Sequence, residues 1–64
     1  MTKETIALTM SRQSDMDLFA VTRALNADIE AHMASGQQTT QAHFGMIEMA
    51  CAATDELVAR GYLA

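Results

Sequence analysis

Apolar side chains recur every three or four residues in the stretch from residue 15 to residue 34, which is the spacing of one face of an α-helix. Ser14 lies just before this stretch and is followed three residues later by Asp17, a variant of the capping box that begins many helices. A first long helix is therefore predicted at about residues 15–34. Its apolar stripe consists of Leu18, Val21, Leu25, Ile29 and Met33.

A row of alanines occupies a neighbouring face of this predicted helix, again at spacings of three and four residues. Small side chains allow a second helix to approach closely, near the lower end of the usual interaxial distance of about 8–10 Å. We therefore expect the row to lie in a helix–helix contact. Its members are Ala20, Ala24, Ala27, Ala31 and Ala34.

Residues 35–40 are the clearest break in the helical pattern. Gly36 suits the left-handed position that follows a helix, and either Thr39 or Thr40 can cap the next one. We predict a short turn here and a second long helix at about residues 41–60. Two long helices of similar length joined by a short turn favour an antiparallel hairpin.

The second predicted helix is apolar on nearly all sides, since only His43 and Glu48 interrupt the apolar residues between Ala42 and Ala53. We expect Gly61 to end it, with Tyr62 folding back towards Leu57 or Val58. A helix of this kind is normally buried, and a single facing helix cannot cover it. The hairpin is therefore predicted to dimerise into a four-helix bundle or to join a larger helical assembly.

The segment of residues 4–10 is ambiguous, because its larger apolar residues alternate with Ala7 and Thr9 as in a strand. The same residues could instead extend the first helix or form a flexible arm. A strand followed by two helices resembles the ribbon-helix-helix DNA-binding proteins, although the segment has no arginine or glutamine to read bases. The resemblance implies that Thr5, Ala7 and Thr9 face the DNA, and that Ile6, Leu8 and Met10 face the core.

Three short stretches of the chain are Met1-Thr2-Lys3, Ala7-Leu8-x-Met10-x-Arg12 and Asp55-Glu56-Leu57. They resemble the plasmid copy-number RNA-binding hairpin, and the resemblance implies the same dimeric four-helix bundle. That family's RNA-binding face needs lysines and an aromatic residue on the first helix, where this chain has Gln13 and Asp17, so the resemblance implies the architecture only.

Size and composition also favour association. A chain of 64 residues forms a single domain (1–64) that can bury only about 60% of its unfolded surface, and one cysteine cannot form an internal disulfide. The net charge of −4 disfavours nucleic-acid binding, and no apolar run approaches the roughly 20 residues of a membrane span. The free thiol favours a cytoplasmic location.

Metal binding and catalysis are both disfavoured. His32, His43 and Cys51, together with the methionines near them, are soft ligands that suit copper(I), but methionines at helical spacing usually fill a core. His43 and Cys51 are eight residues apart, about 12 Å along a helix, which is too far for a catalytic dyad. We therefore predict no cofactor, no metal and no enzymatic activity.

The sequence predicts an all-α helical hairpin that works as a protein–protein interaction module, as an adaptor, a regulatory subunit or an inhibitor. Its expected partners are a second copy of itself and another protein, and neither nucleic acid nor a membrane. The alternatives are an acidic inhibitor of a nucleic-acid-binding protein and a ribbon-helix-helix-like DNA-binding regulator. The predicted interface or core consists of Ala20, Ala24, Ala27, Ala31, Met46, Ile47, Ala50 and Leu57.

Overall fold

The protein is all-helical over residues 2–63, the part of the chain that the computed structural model describes. Helix α1 spans Lys3–Ser11, α2 spans Asp15–Ala34 and α3 spans Gln41–Ala59. Helix α2 covers the residues predicted for the first long helix, and α3 ends one residue before the predicted end of the second. None of the three helices is long and apolar enough to cross a membrane.

Each helix begins at a hydroxyl side chain. The side-chain oxygens of Thr2, Ser14 and Thr40 each accept a hydrogen bond from the backbone N–H three residues later, at 3.2 Å in all three cases. Such a bond satisfies one of the backbone donors that the first turn of a helix leaves free. The predicted cap at Ser14 is confirmed, and Thr40 is the residue that caps α3.

The two long helices end at glycines in the left-handed conformation, Gly36 with φ of 73° and Gly61 with φ of 88°. Beyond Gly61 the backbone N–H of Tyr62 donates to the carbonyl of Leu57, and the N–H of Gly61 donates to that of Val58. This pair of bonds is the Schellman motif. The glycine-type cap that the sequence predicts at this end of α3 is confirmed.

The segment of residues 4–10 lies within helix α1, so the strand alternative is wrong. The described chain therefore lacks the strand with which a ribbon-helix-helix protein reads DNA. Ile6 and Met10, one helical turn apart, are each only 6% exposed, whereas Leu8 is 50% exposed. The segment is therefore neither a loose arm nor an extension of α2, because α1 ends at Ser11 and α2 begins at Asp15.

Helix α3 is the centre of the fold, since both α1 and α2 pack against it. The start of α2 lies beside the end of α3, and the end of α2 lies beside the start of α3, so the two long helices run antiparallel. A two-helix hairpin is an incomplete description, because α1 completes the core from the other side. The main core cluster consists of Ile6, Met10, Leu18, Ala53 and Leu57, with Val21, Met49 and Ala52 partly buried against it, and Ala50 is buried outside this cluster.

The fold exposes more surface than a compact protein of its size. Its accessible area is 4675 Å², whereas a compact monomer of 6.9 kDa exposes about 4,000 Å². Its radius of gyration is 12.1 Å, against about 10.7 Å for a compact domain of this length. The chain thus has an excess of roughly 700 Å² of accessible surface.

Candidate interaction site

The C-terminal end of α3 holds the three helices together through one side chain, Arg60. Its guanidinium forms a salt bridge of 2.7 Å with Asp15 at the start of α2 and one of 3.4 Å with Glu56. It also donates to the backbone carbonyls of Ser11, at 3.2 Å, and Gln13, at 2.7 Å. Arg60 therefore places a positive charge at the C-terminal end of α1, where the carbonyl dipoles favour a cation.

Tyr62 joins the same cluster from beyond the end of α3. Its hydroxyl donates a hydrogen bond to the second carboxylate oxygen of Asp15, and its ring packs edge to face on Phe19 with centroids 5.3 Å apart. The bonds from Tyr62 and Arg60 lower the pKa of Asp15, and the bond to Asp15 raises the pKa of Tyr62. The sequence signal for this contact is Gly61, which turns the chain back towards α2.

These two pKa shifts predict how stability depends on pH. The pKa of Asp15 is depressed in the folded state, so its contribution is present above the ordinary carboxyl pKa and is lost as the pH falls below about 4. The pKa of Tyr62 is raised, so its contribution is present below the ordinary phenol value and is lost as the pH rises above about 10. Urea midpoints measured across this range should therefore fall at both ends.

The variant Tyr62→Phe separates these contributions from those of other titrating groups. The variant should have a lower free energy of unfolding near neutral pH. The decrease in stability above about pH 10 that is due to Tyr62 should disappear, and the decrease below about pH 4 that is due to Asp15 should become smaller. Because Tyr62 is the only tyrosine, its titration can be followed directly by tyrosinate absorbance. An absorbance midpoint at the value of a free tyrosine, with an unchanged pH profile in the variant, would contradict the contact.

Two histidines mark the opposite end of the α2–α3 pair. The rings of His32 and His43 are stacked with centroids 4.1 Å apart, and His43 is only 5% exposed. The buried Nδ1 of His43 has no hydrogen-bond partner among residues 2–63, while Nε2 of His32 lies 3.0 Å from the carbonyl oxygen of Gln38. His32 therefore contacts both the turn of residues 35–40, through Gln38, and the start of α3, through His43.

The candidate chemical residues do not converge on one site. Cys51 is exposed, whereas His43 is buried against His32. Within the described part of the chain, no group of three or more His, Cys, Asp or Glu side chains could hold a metal ion. His43 and Cys51 therefore do not share one site in the described part of the chain.

The eight residues of the predicted interface divide into three groups by their burial. The four alanines of α2 are exposed, on the face that points away from α3, whereas Ala50 and Leu57 of α3 are buried inside the chain. Met46 and Ile47 are half-buried. Ala50 and Leu57 thus belong to the core, and the exposed alanines of the first group are Ala20, Ala24, Ala27 and Ala31.

A groove of about 470 Å³ lies between α1 and α3. Its apolar wall includes Ala7 of α1 and Ile47 and Ala52 of α3, and Glu48 and Asp55 stand along the α3 side. Sequence patterning missed this groove, because it exists only where α1 packs on α3.

A second hollow of about 400 Å³ lies beside the groove, between α3 and α2. Asn26 and Ile29 line it from α2, and it shares Ile47, Cys51 and Asp55 with the groove. Phe44 is 58% exposed and begins this outer face of α3. A continuous strip of α3 is therefore left uncovered between α1 and α2.

Comparison of the chain with protein-family models, with curated proteins and with solved structures found no match.

Proposed function

We propose that the protein is a small protein–protein interaction module that works as a homodimer in the cytoplasm. The observation that carries the proposal is the excess accessible surface of roughly 700 Å², which is close to the approximately 800 Å² that each partner buries in a standard interface. A monomer that exposes this much extra surface gains stability if a second chain covers it.

The surface proposed for the dimer contact is the alanine row of α2. Because its side chains are small and point away from the core, a second helix can approach it closely. Because the row faces away from α3, two copies that met through it would stack their long helices in the order α3, α2, α2, α3 and not as a closed four-helix bundle. Such a contact is isologous, since both copies use the same residues.

The charges beside the row support an antiparallel pair that crosses near Ala27. Arg23 and Glu30 are exposed on one side of the row, seven residues apart, and neither forms a salt bridge within residues 2–63. In an antiparallel crossing at Ala27, Arg23 of one copy lies beside Glu30 of the second copy, and the reverse pair forms at the other end. Two favourable pairs at the rim of the contact then select this orientation.

Light scattering coupled to size exclusion should give a mass of about twice 6.9 kDa at tens of micromolar protein. The variant Ala27→Leu should overpack the helix contact and cost the dimer about 1–3 kcal/mol, which is a weakening of about fivefold to 150-fold. On a solvent-facing row the same change would be nearly neutral, because leucine is almost as good a helix former as alanine. A monomeric mass in the unmodified chain would refute the proposal.

Charge reversal offers a matched control for the orientation. Arg23→Glu and Glu30→Arg should each weaken the dimer, since each places like charges side by side at both ends of the contact. The double variant restores opposite charges and should recover the dimer. Glu4→Arg, which makes the same change of charge as Glu30→Arg but on α1, should have little effect. Failure of the double variant to recover would exclude the antiparallel crossing.

A further inference from the structure

The groove between α1 and α3 has dimensions that suit the binding of a helix. Glu48 and Asp55 are seven residues apart on α3, about 10 Å along the helix axis, so the groove accommodates about two turns of a partner helix. Ile6, Ala7 and Ile47 present apolar surface towards it. Recognition of an amphipathic helix by an apolar groove is a recurring mode of peptide binding.

The charges at the groove are mostly negative and largely unpaired. Glu48 and Asp55 are exposed and form no salt bridge with any residue from 2 to 63, whereas Glu56 is held by Arg60. Lys3 is the one basic residue that lines the groove. Complementarity therefore favours a partner that carries cationic side chains beside its apolar strip.

The same charges argue against a second copy of the chain as the occupant. The protein has a net charge of −4, and two copies that met through this groove would bring acidic rims together. Like charges placed opposite each other disfavour such a contact. The groove and the alanine row of α2 also use different residues, so both surfaces are accessible at the same time.

We propose that the α1–α3 groove binds an amphipathic helix of another protein, with an apolar strip seated on Ile6, Ala7 and Ile47 and with lysine or arginine side chains beside Glu48 and Asp55. This inference deepens the proposed interaction function by naming the chemistry of the partner. It depends on the chain being an interaction module, but not on its forming a homodimer.

The test uses the full chain and a fluorescein-labelled peptide of leucine and lysine, with the leucines at helical spacing. A matched peptide in which every lysine is replaced by glutamate is the control ligand. By fluorescence anisotropy the lysine peptide should bind saturably, with one peptide per chain, and the glutamate peptide should not bind. Circular dichroism should show that every variant used remains folded.

Two pairs of substitutions separate a specific groove from general attraction to an acidic protein. Glu48→Lys with Asp55→Lys should weaken binding of the lysine peptide at least tenfold. Glu4→Lys with Asp28→Lys changes the net charge equally at exposed positions that do not line the groove, and it should weaken binding much less. Ala7→Phe should also prevent binding, because it fills the groove from the exposed side of α1 without changing any charge.

Three results would overturn the inference. The first is an absence of binding by the lysine peptide, and the second is an equal loss in the two charge-reversal pairs. The third is a dimer that dissociates when Ala7→Phe is introduced, since a second copy would then be the occupant of the groove. A monomeric protein that binds the lysine peptide as expected would refute the homodimer and leave the groove proposal intact.

Discussion

Replacement of Leu18 by alanine is expected to lower the free energy of unfolding by about 2–5 kcal/mol, the usual cost of removing a fully buried leucine side chain. Leu18 is 0% exposed and belongs to the cluster that joins all three helices. A chain of 64 residues has a total stability of only about 3–10 kcal/mol. The variant should therefore lose a large share of its stability, and its urea midpoint should fall to a much lower denaturant concentration than that of the unmodified chain.

The matched control is Leu8→Ala, because Leu8 is also a helical leucine but is 50% exposed. It buries much less apolar area, so its replacement should cost well under half as much as that of Leu18. Urea denaturation followed by circular dichroism measures both. If the two variants lost stability equally, the core would be organised around different residues from those in the structure.

The two long helices could be predicted because their ends carry local signals. Ser14 and Thr40 cap the beginnings of α2 and α3, while Gly36 and Gly61 adopt the left-handed conformation that ends them. Each of these preferences depends on a few neighbouring residues, and a single sequence displays them directly. Apolar periodicity then identified the all-helical class.

Helix α1 could not be assigned because its state depends on distant contacts. A segment of nine residues is too short for its apolar spacing to distinguish a strand from a helix. Ile6 and Met10 are buried in the same cluster as Leu57, which lies almost fifty residues further along the chain. Isolated helices of this length are marginal in water, so this packing is what stabilises α1.

The alanine row shows a second limit of pattern reading. Helix α2 has two apolar faces with the same spacing, and the sequence does not say which one faces α3. The structure buries the face with the larger side chains, including Leu18 and Val21, since they remove more apolar area from water than alanines do. The alanine face stays exposed, and for that reason it remains available as the proposed dimer contact.

The contacts of Arg60 with α1 and α2 have no local signature either, since these partners, unlike Glu56, lie 45 or more residues away in the sequence. Its side chain is 20% exposed, so much of the guanidinium is shielded from water. A fork of several N–H donors allows one side chain to bind Asp15 and the carbonyls of Ser11 and Gln13 together.

The substitution Arg60→Ala is expected to release α1 from the rest of the fold and to lower the melting temperature more than any other single change of a charged residue. It leaves Asp15 without its salt bridge and removes the cation from the C-terminal end of α1. Hydrogen exchange should show the amides of α1 losing protection first, before those at the centre of α3.

Two further variants test whether the geometry of Arg60 matters in addition to its charge. Arg60→Lys keeps the charge but lacks the planar fork, so it should recover only part of the lost stability and α1 protection. Arg12→Ala removes a positive charge at the same end of α1, but Arg12 is exposed and forms no salt bridge among the described residues. The melting temperature of the Arg12→Ala variant should therefore differ little from that of the unmodified chain. Equal losses in Arg60→Ala and Arg12→Ala would mean that general electrostatics, and not the hydrogen-bonded fork of Arg60, hold α1 in place.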